Sequence, residues 1–120
     1  MPTYLPNPKT ISAHGSPPKQ IVEHVGLAST GTDALSVAVM SSPAGWTEPA
    51  QAPEFNEWTI VLKGSLQVIS ESGILEIAAG EAVHVAAGEE VRYATSEATQ
   101  YVSVCTPAFS PARVHRVADV

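Results

Sequence analysis

A lone cysteine, Cys105, leaves no partner for an internal disulfide and suits a reducing compartment. Basic residues are scarce as well. Six Lys and Arg stand against twelve Asp and Glu, giving a net charge of −6. Phosphate binding depends on clustered Lys and Arg, so nucleic acid is not an expected partner, and an anionic membrane surface is disfavoured for the same reason. The longest apolar runs are a handful of residues, too short for a membrane-spanning helix. Met1-Pro2-Thr3-Tyr4-Leu5-Pro6 has no charged start followed by an apolar core, so no secretory leader is expected. Helical periodicity is missing from every window of useful length, and so are a phosphate-cradling Gly loop, a Ser-His-Asp pattern and a Cys-x-x-Cys pair. A soluble, cytoplasmic protein is expected from these absences.

What is present is strand material. A chain of 120 residues that is 44% hydrophobic and only 15% charged has enough apolar content to bury one core. Short Val-, Ile- and Thr-rich runs are expected as strands at 21–25, 34–41, 54–63, 65–70, 74–77, 82–85, 90–94 and 100–106, with Gly turns between them. That spacing indicates an all-β barrel or sandwich. Residues 1–20 hold five prolines and little periodicity, so they are expected as an extended arm. Residues 21–106 form the barrel. The tail, 107–120, is broken by proline yet keeps Phe109, Val114 and Val117, which points to packing on the barrel or on a second subunit.

Two glycine-framed segments stand out. In the first, Gly45 is followed at fixed intervals by Gln51, Pro53, Glu57 and Gly64; in the second, Gly80 is followed by Ala86, Gly88, Val91 and Thr95. Their glycines and the Glu fall at the spacing of the two cupin signatures, and over about residues 34–106 the chain resembles the small single-domain members of the cupin superfamily. The resemblance implies a double-stranded β-helix, the jelly-roll barrel. In cupins three His and one Glu hold a divalent metal inside the barrel. Carried over position by position, those four are Gln51, Pro53, Glu57 and Val91, of which Pro53 and Val91 have no donor atom. The site is therefore degenerate, and no cofactor is expected unless His84, Glu48 or Glu54 supply ligands from other positions.

The same resemblance directs Glu57 into the barrel. Period-two alternation then puts Thr59 and Val61 on its face, with Trp58, Ile60 and Leu62 behind, and puts Val91, Tyr93 and Thr95 inward with Arg92 outward. Glu57 and Tyr93 are the candidate catalytic pair, because desolvation raises a carboxyl pKa unless a donor or cation compensates. Gln51, Glu54, Thr59, Val91 and Thr95 are the candidate ligand contacts. The bland alternative for each is packing: Glu57 and Tyr93 as barrel filling, Glu54 and Glu48 as solvated surface. His84 is expected to face away from the core as a structural or interface residue, and His14, His24 and His115 lack ligand-like spacing. Cys105 is read as a buried, inert thiol, and Trp46 and Trp58 as packing, with Trp46 placed near the pocket rim. The expected function is metal-independent or weakly metal-dependent acid–base chemistry of isomerase, lyase or cyclase type. Its rivals are a non-catalytic metabolite-binding or sensory cupin and a metallocupin with rearranged ligands. A homodimer is expected, since an arm, an apolar tail and sheet faces are suited to pairing.

Overall fold

The computed structural model describes residues 2–13 and 15–117. Ten strands run antiparallel in two sheets. The larger contains β1 (Lys9–Ser12), β2 (Gln20–Val25), β3 (Ser36–Ser42), β10 (Thr99–Thr106), β5 (Asn56–Lys63) and β8 (Ala82–Val85), in that order. The smaller contains β4 (Trp46–Thr47), β9 (Arg92–Thr95), β6 (Ser65–Ser70) and β7 (Gly73–Ala78). Among the described residues a single short helix, α1 (Pro111–Val114), follows β10. This is the expected all-β jelly roll, and among the described residues no helix is long and apolar enough to cross a membrane.

Alternation explains the strands. On β5 the side chains of Glu57, Thr59 and Val61 are buried, while Trp58, Ile60 and Leu62 are 41%, 45% and 51% exposed. The core between the sheets is built from Trp46, Val61, Leu66, Val68, Ile77, Val85, Val91, Tyr93 and Tyr101. Gly64 turns β5 into β6 at φ +86°, and a Cβ there would lie 2.6 Å from the Ala98 carbonyl oxygen. The closing Gly of the first motif is therefore required by sterics.

The proline-rich segment does more than the sequence suggests. Lys9 to Ser12 pair with Gln20 to Glu23 as an edge strand, where flanking prolines interrupt no ladder. Ser16 and Thr47 exchange backbone hydrogen bonds of 2.9 and 3.2 Å, which lays the segment across β4. The tail folds back on its own barrel. Ala52, Glu54 and Val117 amides donate to His115, Arg113 and Ala50 carbonyls respectively. Phe109 and Val114 pack with Phe55 and Cys105 in a second small core, while Val117 stays exposed.

Candidate functional site

Arm, barrel and tail converge on one cavity of about 50 Å³, room for a few waters or one small organic molecule. Its apolar walls come from Ile21 on β2, Met40 on β3, Phe55 ahead of β5 and Phe109 on the tail. Its polar lining includes Lys19, Glu23, Glu48, Gln51, Glu57 and Arg116.

Glu57 is held by donors from two strands. The Tyr93 hydroxyl donates to Oε1 at 2.9 Å, and the Ser103 hydroxyl donates to Oε2. The Cys105 thiol lies 3.7 Å from the same oxygen. β10 pairs with β5 so that Cys105 sits opposite Glu57, which is how period-two alternation delivers Ser103 and Cys105 to one carboxylate. The donors that a buried carboxylate calls for are thus in place. Burial, followed by the neighbouring Glu57 carboxylate, pushes the Tyr93 phenol well above the ordinary tyrosine range. The same two causes raise Cys105, so the thiol keeps its proton and is no nucleophile.

Glu48 is buried, where the sequence suggested a surface loop residue, because the Ser16–Thr47 bridge roofs it over with the arm. Lys19 is buried beside it. The ammonium Nζ lies 3.9 Å from Glu48 Oε2, donates to the Tyr101 hydroxyl at 3.2 Å, and stands 4.5 Å above the Trp46 ring. Burial alone would lower the Lys19 pKa, but Tyr101, Glu48 and Glu57 outweigh it and hold the ammonium above the usual lysine value. Glu48 moves upward too. Desolvation outweighs the pull of Lys19 and Arg116, helped by the like charge of Glu57, and a 3.9 Å pair is too long to reverse it. Glu23 is a structural carboxylate: it accepts from the Ala28 and Ser29 amides at 3.0 and 2.8 Å, folded against Gly26, where φ is +147°.

Of the expected site residues, Gln51 and Glu57 line the cavity, and Tyr93 reaches it through its bond to Glu57. Thr59, Val91 and Thr95 are buried but lie off the cavity wall; Val91 packs in the main core and Thr95 donates to the Pro43 carbonyl at 2.8 Å. Glu54 is exposed and pairs with His115 at the surface. Thr59, Val91 and Thr95 share the inward side with Glu57 but are packed in the interior rather than on the cavity wall. Trp46 is fully buried rather than at a rim, and His84 stacks on Trp58 outside the barrel with ring centroids 4.7 Å apart. Lys19 and Arg116, which the sequence reading passed over, carry no local signal. One lies among prolines and the other in a broken tail, and tertiary pairing alone brings them together.

The residues do not fit the divalent metal of the cupin pattern. Backbone bonds of 2.8 and 2.9 Å between Gln51 and Val91 bring those two motif positions together. Yet Val91 and Pro53 offer no donor atom, Glu57 is engaged by hydroxyls, and the cations lining the cavity are the Lys19 ammonium and the Arg116 guanidinium. Among the described residues no three His, Cys, Asp or Glu side chains come together as a metal cluster.

The titration of this interior gives a checkable result. Tyr93, Tyr101, Cys105 and Lys19 all have folded pKa values above their unfolded ones, so each stabilises fully below the unfolded value and loses its contribution as pH climbs. Thermal melts are expected to be steady at neutral pH and to fall from about pH 9 upward. Tyrosinate absorbance from Tyr93 and Tyr101 is expected only as the protein unfolds; a folded protein with all tyrosines ionised would contradict this.

The fold is that of the cupins. A mutant oxalate decarboxylase from Bacillus subtilis superposes with a TM-score of 0.76 at 16% identity over 98% of this chain and 32% of that one. The polyketide cyclase RemF from Streptomyces resistomycificus superposes at 0.72 with 17% identity, over 100% of this chain and 87% of that one. No protein-family model matches the chain. A curated relative from Myxococcus xanthus, named endoribonuclease YbeY, is 48% identical over 99 residues, which is 81% of this chain. The chain spans only about a third of that relative's length, 34%.

Proposed function

We propose that the protein acts on a small polar molecule in the barrel cavity by metal-independent acid–base chemistry of isomerase, lyase or cyclase type. The observation that carries this reading is a pair of buried carboxylates, Glu48 and Glu57, lining one small cavity in different environments. Glu57 is fixed in orientation by Tyr93 and Ser103 and takes a proton from a substrate carbon; the freed electron pair moves onto the adjacent substrate oxygen. Glu48, on the same cavity, is the second proton carrier and relays a proton from solvent to the product. Tyr93 is a positioning residue, because its hydroxyl is spent on Glu57 and its proton is held tightly. The test is deuterium wash-in. Wild-type protein incubated with a metabolite mixture in heavy water is expected to label one small molecule at carbon, and Glu57→Gln protein is expected not to. If wild type labels nothing, the barrel is a capture site instead, the reading favoured by Glu57 being so fully hydrogen-bonded.

The name of the curated relative describes a much longer protein, of which the match spans 34%. Ribonuclease chemistry is not carried over, since a net charge of −6 opposes phosphate binding.

We further propose that the outer face of the large sheet is covered by a second copy of the chain. Register sets Trp58, Val104 and Val37 in one row and Ile60, Val102 and Val39 in the next, an uncharged strip across three strands. Such a strip is complementary to itself under a twofold axis, whereas a charged partner would gain nothing from it. Light scattering is expected to give twice the 12.5 kDa chain mass, and Ile60→Lys to give one chain mass. A wild-type monomer at high concentration would remove the proposal.

A further inference from the structure

The cavity carries unspent hydrogen-bond donors. Among the described residues, the buried side-chain nitrogen and oxygen atoms without a partner are Ser29 Oγ, Trp46 Nε1 and Arg116 Nε, and of these residues Arg116 lines the cavity. Lys19 is the other basic residue there, and its ammonium has three N–H bonds, of which Tyr101 takes one. A buried guanidinium N–H with no acceptor is a costly arrangement that a ligand oxygen would relieve. The carboxylates do not compete equally for these cations. Glu23 is occupied by loop amides, and Glu57 by hydroxyls. Glu48 approaches Lys19 only to 3.9 Å, a loose pair that leaves the ammonium able to turn to an incoming anion. Beyond these groups the apolar walls include Ile21 and Met40, suited to a short apolar stem.

We propose that Lys19 and Arg116 form a carboxylate-binding subsite in the barrel cavity, taking a small monocarboxylate by its head group with its stem against Ile21 and Met40. This rests on the cavity being the working site, and it names the substrate class: two side-chain cations, Lys19 and Arg116, supply the positive charge. The carboxylate fixes the molecule, and the carbon beside it is the one presented to Glu57.

The test compares near-isosteres on the full chain labelled with nitrogen-15. Propionate, propionamide and propylammonium are titrated while the Arg116 Nε–H resonance is followed. Propionate is expected to shift that resonance saturably, with propionamide at least about tenfold weaker, the loss of a charge-assisted hydrogen bond. Arg116→Gln, with its fold checked by thermal melting, is expected to weaken propionate by a similar factor. Because the isosteres are compared on wild type, the test stands even if the variant fails to fold. Equal binding of propionamide would overturn the subsite while leaving the cavity as a ligand site. Preference for propylammonium would overturn it, and so would the lack of any saturable shift up to about 50 mM propionate. In that last case the acid–base reading is judged separately by deuterium wash-in.

Discussion

Lys19→Met is expected to destabilise the protein by about 3–5 kcal/mol at neutral pH, the loss typical of removing one partner from a buried pair. The Lys19 ammonium is enclosed by Glu48, the Tyr101 hydroxyl and the Trp46 ring. Without it, Glu48 is left desolvated beside Glu57 with only Arg116 to offset two carboxylates. Because the folded Glu48 pKa already lies above its unfolded value, the penalty should shrink as pH falls and the carboxyl takes up a proton. Urea unfolding at neutral pH and near pH 5 measures both effects. The double variant Lys19→Met with Glu48→Leu is expected to recover most of the loss, since replacing both partners removes the uncompensated charge. If Lys19→Met is neutral in stability at both pH values, the ammonium is not paired in the interior.

Glu57→Gln is expected to lower the rate of deuterium wash-in by about a hundred- to ten-thousandfold, the range over which a positioned general base acts. The fold should survive. A glutamine fills the same volume, accepts from Ser103 through its carbonyl and turns its amide toward the Tyr93 oxygen, for a stability change of about 1 kcal/mol. Ligand affinity should change far less than rate, because the amide keeps the shape and loses only the basicity. Tyr93→Phe is the informative companion. It leaves the carboxylate but removes one of the two hydroxyl bonds that orient it, so activity should fall less and the pH profile should shift. Full turnover by Glu57→Gln would move the reaction elsewhere or leave the barrel as a capture site.

Alternation made the β5 face legible from sequence. A period of two in Glu57-Trp58-Thr59-Ile60-Val61-Leu62 fixes which residues face inward once one is placed, and the two Gly-framed motifs placed one. The same reasoning set Tyr93 inward with Glu57, and their hydroxyl–carboxylate bond of 2.9 Å follows from that shared orientation. It failed for Thr59, Val91 and Thr95 as ligand contacts, because facing inward does not tell a packed interior from an open one. The strand Lys9–Ser12 was hidden by its prolines, and Trp46–Thr47 was too short to leave a pattern.

By itself the sequence determined the jelly-roll class, the positions of most strands, the side of β5 that is buried and the inward carboxylate. The strands and the pairing of faces on β5 follow from local periodicity and turn chemistry, while the jelly-roll class and the inward carboxylate are what the resemblance carried by the two Gly-framed motifs implies. Only the tertiary structure decided that Lys19, Glu48 and Arg116 meet Glu57 around one cavity. Those residues come from an arm, a loop and a tail, segments with no periodicity of their own, whose places are set by long-range backbone pairing at Ser16–Thr47 and Gln51–Arg116. Charge buried in this way is invisible to composition, because its cost is met by partners far away in the chain.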